Sequence, residues 1–158
     1  MRNRTPVLVT TATLAVALAA PSPAAAVKQF EGRSSQGRAV KLTIGDDNLL
    51  QRFEANWITR NCRQRGSRFQ NITAFKPPFD EATPDIFNDA GSLTVRDSGR
   101  IRSRVSITIS GRRTFDPANP AAESWAGTLK ASVVVRRGRK VIDRCTRSQI
   151  TWTAALAP

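Results

Sequence analysis

Histidine and tyrosine are absent from this chain of 158 residues, methionine occurs once and cysteine only twice. Without histidine there is no Ser-His-Asp or Cys-His nucleophile system and no imidazole-ligated metal. Two cysteines cannot build a tetrathiolate zinc site or an iron–sulfur cluster, and they lack the C-x-x-C spacing of a redox pair. Acidic residues are scarce too: 12 stand against 25 Lys and Arg, a formal net charge of +13. Beyond residue 26 no apolar run approaches the roughly 20 residues that a bilayer span needs. Helical periodicity is missing from the same region. No cofactor and no metal are expected, and no catalytic residue is assigned.

What is present begins with an N-terminal signal. Arg2 and Arg4 precede Val7–Ala20, a stretch of 14 mostly apolar residues. Pro21 and Pro23 break it, and Ala24-Ala25-Ala26 supplies the small side chains of a processing site. Residues 1–26 therefore read as an export signal cleaved between Ala26 and Val27. Cleavage leaves 132 residues with a net charge of +11, expected outside the cell as a single domain over 27–158. In an oxidising compartment Cys62 and Cys145 should pair as a structural disulfide closing a loop of 82 intervening residues.

The rest of the chain alternates apolar and polar residues with period two, punctuated by turn residues. Val40, Leu42 and Ile44 form one inward face; Phe53, Ala55 and Trp57 form another. Cys62 has the wrong parity to continue the second face, which calls for a bulge or a strand end between Ile58 and Asn61. Phe69–Phe75 reads as a strand with Ile72 inward, ended by Pro77-Pro78. Asn88-Asp89-Ala90-Gly91 reads as a hairpin-like turn between Ile86-Phe87 and Leu93–Val95. Val105, Ile107 and Ile109 then alternate with Arg104, Ser106 and Thr108. Trp125, Leu129, Ala131, Val133 and Val135 share a long strand, turned back by Arg137-Gly138-Arg139 into Val141–Cys145 and a final strand through Ile150, Trp152 and Ala154. This pattern predicts an all-β protein: an antiparallel two-layer β-sandwich of jelly-roll type with nine or ten strands, and a closed barrel as the alternative.

Several groups of side chains have chemistry to offer. Twenty of the 25 basic residues are arginines, clustered at Arg60, Arg63, Arg65 and Arg68; at Arg100, Arg102 and Arg104; at Arg112 and Arg113; and at Arg136, Arg137, Arg139 and Lys140. The last four occupy one hairpin tip and are the candidate anion-binding residues. With Phe69, the Arg60–Arg68 loop offers charge and one ring to a nucleic acid, too little for specific recognition. Trp57, Trp125 and Trp152 offer a sugar platform if exposed, although each shares a face with core residues. Asp80, Glu81, Asp85 and Asp89, with Asn88, are the one concentration of hard oxygen ligands for Ca²⁺, without EF-hand spacing. Glu54 and Asp143 are the two carboxylates a glycosidase would need, both expected on polar strand faces. Asn71-Ile72-Thr73 matches a glycosylation sequon inside a strand.

Ser34-Ser35-Gln36-Gly37-Arg38, the spacing of Trp57 and Cys62, and the ending Cys145 to Ile150-Thr151-Trp152-Thr153-Ala154 carry a resemblance. The chain resembles small secreted β-sandwich proteins of high-GC Gram-positive bacteria over most of residues 27–156. The resemblance implies fold and export, and it carries over no catalytic residue. The functional expectation is an exported, non-enzymatic protein that binds anionic polymers at the cell surface through its arginine-rich loops. A carbohydrate-binding module using tryptophan and a small carboxylate hydrolase are the alternatives.

Overall fold

The computed structural model describes residues 27–59, 62–64, 68–96 and 99–158, apart from the side chains of Arg147 and Ser148. The expected export signal, and Arg60 and Arg65 of the first arginine cluster, lie outside the described residues. Among the described residues nine strands follow one another: β1 (Lys28–Ser34), β2 (Ala39–Ile44), β3 (Leu50–Thr59), β4 (Phe69–Phe75), β5 (Glu81–Ala82), β6 (Ile86–Arg96), β7 (Ile101–Thr114), β8 (Ser124–Arg137) and β9 (Lys140–Leu156). All pairings among them are antiparallel, in the order β4-β3-β2-β1-β9-β8-β7-β6-β5. The first four strands step outward to one edge; the last five start at the other edge and return to the middle.

This connectivity dictates a curl. A flat sheet would hold its edge strands eight spacings apart, about 38 Å at the usual strand separation. Yet β4 reaches β5 through residues 76–80 alone, which extend to at most about 20 Å. The sheet accordingly bends into a half-barrel. Phe53 on β3 and Phe87 on β6 are six spacings apart along the sheet, and their ring centroids lie 5.7 Å from each other. The two packed layers of the expected sandwich are thus two arms of one continuous sheet. The ladder does not close: β4 and β5 are its two edges, and they run the same way.

One face of every long strand is apolar, and those faces meet inside. Phe30, Leu42, Phe53, Trp57, Phe87, Ile109, Trp125, Val133 and Trp152 are all buried. Phe53, Phe87, Trp125 and Trp152 form a ring cluster with centroid separations from 5.2 to 6.0 Å. Trp57 donates its indole N–H to Thr73 Oγ1 at 2.9 Å. The Cys62–Cys145 disulfide is formed, with S–S 2.02 Å, and it ties the segment after β3 to β9.

The structure corrects three local expectations. Asn88–Gly91 is no turn: it pairs without a break against Ile107–Ser110, inside an 11-residue strand. Turn-prone residues yield here to a continuous ladder with β7, a tertiary effect that local propensity does not register. Ile72 faces outward, opposite Asn56, while Thr73 and Phe75 face inward. The two segments expected after the β8–β9 turn are a single strand of 17 residues with a register shift opposite Ala131–Val133. The Ile72 finding has a measurable consequence. Ile72→Thr should change unfolding free energy by no more than about 0.5 kcal/mol. Thr73→Val should cost about 1–3 kcal/mol, because it strands the buried N–H of Trp57. Urea denaturation of the two variants checks the order.

Candidate anion-binding surface

Antiparallel alternation sorts the connections between two ends of the half-barrel. At one end lie the β1–β2, β3–β4, β6–β7 and β8–β9 connections, which carry Arg38, Arg63, Arg68, Arg100 and Arg139 among the described residues. At the other lie the β2–β3, β4–β5, β5–β6 and β7–β8 connections, which carry Asp46, Asp47, Asp80, Asp85, Asp116 and Glu123. The molecule therefore has a basic end and an acidic end. Glu123 is buried at the latter, 2.8 Å from Lys28 Nζ and 2.7 Å from Arg113 Nε, so part of that acidity is internally neutralised.

Strands β6 to β9 carry the basic end furthest. On their outer face the register sets Arg96 opposite Arg102 and Arg102 opposite Arg136. One step nearer the middle, Arg104 and Arg144 flank Val134 in the next row. Neighbouring strands lie about 4.8 Å apart and same-face residues about 7 Å apart along a strand. Five exposed guanidiniums thus occupy a patch about 10–15 Å across. Arg63 extends it, since its backbone N–H donates to Arg144 O at 2.9 Å beside the disulfide. Arg63, Arg144, Cys62 and Thr146 line a cleft of about 470 Å³ there.

Like charges set directly opposite each other destabilise a sheet. None of Arg63, Arg96, Arg102, Arg104, Arg136 and Arg144 forms an ion pair with a carboxylate among the described residues. An unneutralised row of this kind is a local conflict, and such conflicts concentrate at functional sites. Guanidinium groups bind phosphate, sulfate and carboxylate through paired N–H donors. Below the arginines the same face carries the row Ser92, Ser106 and Ser132, then Thr108, then Ser110 with its hydroxyl 3.0 Å from that of Thr128. No aromatic side chain lies on this face among the described residues.

Of the four residues read from the hairpin tip, Arg136 belongs to the row and contacts Arg139 O at 3.4 Å. Arg137, Arg139 and Lys140 are exposed around Gly138, with Arg137 on the opposite face of β8. Sequence reading missed Arg96 and Arg144, which stand alone in the chain and join the others only through strand pairing.

The other candidate chemistries fare differently. Trp57, Trp125 and Trp152 are 0%, 2% and 2% exposed, which removes the sugar platform. Asp143 is buried on the inner face, whereas Glu54 faces outward and pairs with Arg52 at 2.6 Å. The two carboxylates thus lie on opposite faces of the sheet and form no hydrolytic pair. In the acidic segment Glu81 accepts a hydrogen bond from Asn88, and Asp85 lies 3.9 Å from Arg113. Burial raises the Asp89 carboxyl above its ordinary value, and the charge of Asp80 adds to the shift. Among the described residues this segment brings no three metal-ligating groups together. No helix among the described residues is long and apolar enough to cross a membrane. Comparison with family models, curated proteins and solved structures finds no match for this chain.

Proposed function

We propose that the protein is exported and binds anionic polymers at the cell surface through the outer face of β6 to β9, without catalysing a reaction. The observation that carries this reading is the cross-strand row Arg96–Arg102–Arg136, with Arg104 and Arg144 in the next row. The hydroxyl rows beneath it suit a polymer that carries hydroxyl groups as well as anions, such as an acidic polysaccharide. The absence of aromatic side chains on this face argues against stacking on nucleic acid bases. Export rests on the residues of the N-terminal signal, and the disulfide is compatible with it.

Binding to an acidic polysaccharide should weaken steeply with salt, because each contact releases a condensed counterion. Arg102→Ser combined with Arg136→Ser should lower affinity at least about tenfold and flatten the plot of log K against log salt by about two units. Lys41→Gln, which removes a charge already paired with Glu31 at 2.7 Å, should leave both unchanged. Titrations monitored by fluorescence anisotropy at several salt concentrations read these quantities. Affinity independent of salt, or equal in the double variant and the wild type, would refute the assignment.

A further inference from the structure

The inner side of the basic end holds a second feature, separate from the arginine face. Asp143 is 6% exposed, and its two hydrogen bonds, from the backbone N–H of Gln64 at 3.2 Å and of Arg144 at 2.7 Å, both end on Oδ1. It forms no ion pair among the described residues. Its Oδ2 accepts no hydrogen bond there, and it is not among the buried polar atoms sealed from solvent. Asp143 lines a cavity of about 300 Å³ together with Gln64, Arg68, Phe69, Ser103, Val135, Ile142 and the Cys62–Cys145 disulfide.

A carboxylate buried without a cation is costly, and a ligand that supplies the cation recovers that cost. Arg68 lines the same cavity without an ion-pair partner among the described residues, and it offers a paired donor to an anion. The remaining walls combine the apolar Phe69, Val135 and Ile142 and the disulfide with the polar Gln64 and Ser103. A volume of this size lies at the small end of ligand pockets.

We propose that this cavity binds an amino-acid-sized zwitterion, its ammonium on Asp143 Oδ2, its carboxylate on Arg68 and its apolar side chain against Phe69, Val135 and Ile142. Such a ligand carries no net charge, so the surrounding positive field does not repel it as it would a plain cation. The site is independent of the outer arginine rows, and either assignment survives failure of the other.

Calorimetric titration with three probes tests the assignment. Leucine carries both charges, leucinamide only the ammonium, and N-acetyl-leucine only the carboxylate. Leucine should bind; leucinamide should bind about tenfold more weakly, and N-acetyl-leucine should give no heat. Arg68→Gln should bring leucine down to the affinity of leucinamide and leave leucinamide unchanged. Asp143→Asn keeps an acceptor for the Gln64 N–H, so its thermal unfolding should stay near that of the wild type while leucine binding is lost. If Asp143→Asn fails to fold, the Arg68→Gln comparison decides by itself. Silence of all three probes on the wild-type protein at about 10 mM would overturn the proposal. So would leucinamide binding as tightly as leucine, or leucine affinity unaffected by Arg68→Gln.

Discussion

A Cys62→Ser, Cys145→Ser double variant is expected to melt on the order of 10–20 °C below the wild type. The disulfide joins residues 83 apart in sequence. A cross-link over a loop of that length removes about 4–5 kcal/mol of chain entropy from the unfolded state. Domains of this size are stable by only about 5–15 kcal/mol in total, so the loss is a large share. The native contacts near the bond do not replace it. Beyond Thr59 the segment is held to β9 through the isolated Cys62–Cys145 bridge, the Arg63 N–H to Arg144 O bond and the Gln64 N–H to Asp143 bond. Calorimetric melting of the two proteins, with and without a dithiol reductant, reads the effect. A difference below about 3 °C would mean that the unfolded chain gains little freedom when the bond is cut. The variant should also bind anionic polymer with about one unit less salt dependence, since Arg63 loses its tether beside Arg144.

Much of this architecture was legible in the chain because the half-barrel buries one face. Val40, Leu42 and Ile44, or Val105, Ile107 and Ile109, can alternate with polar residues only if one side of the strand stays wet. The disulfide was legible from the cysteine count and the expected export signal alone. Strand β4 was harder, since Phe69, Ile72 and Phe75 fit no single parity; the pairing with β3 and the indole of Trp57 decide that Thr73 goes in. The arginine rows were not legible as a surface. Arg96, Arg102, Arg136 and Arg144 come from four strands, and their proximity is a property of register. Asp143 looked like an ordinary surface carboxylate because it stands beside Arg144 in a polar stretch of the chain. What separates them is that Arg144 is exposed opposite half-buried Val134, while Asp143 shares the inner face with Cys145.

Gly127→Val and Gly32→Val should each destabilise the protein by more than about 3 kcal/mol. Glycine in a strand interior is unfavourable unless a bend or a close approach requires it. Three of them sit where a neighbouring strand or ring approaches closely. Gly127 lies directly opposite Gly111, and Gly32 lies opposite Ala154, itself paired with Trp125. A Cβ on Gly127 would stand 1.9 Å from Ser110 O and 2.6 Å from Trp152 Cζ2. On Gly32 it would stand 1.9 Å from Thr153 O, and on Gly111 2.2 Å from Phe87 Cε1. The clashes with Ser110 O and Thr153 O involve neighbouring backbone, which cannot swing away as a side chain can. Gly37 and Gly138 provide the contrast. Their φ values are +72° and +60°, and a Cβ there meets nothing within 4 Å. Gly37→Ala and Gly138→Ala should therefore cost only the left-handed conformation, about 1–2 kcal/mol each. Urea denaturation of the four variants separates the two groups. A turn variant as damaging as Gly127→Val would show that close approach at the strand glycines does not set the cost. In the expected order, relieving the bend forces the β3 and β6 arms apart, and the ring cluster of Phe53, Phe87, Trp125 and Trp152 loses the geometry that joins them.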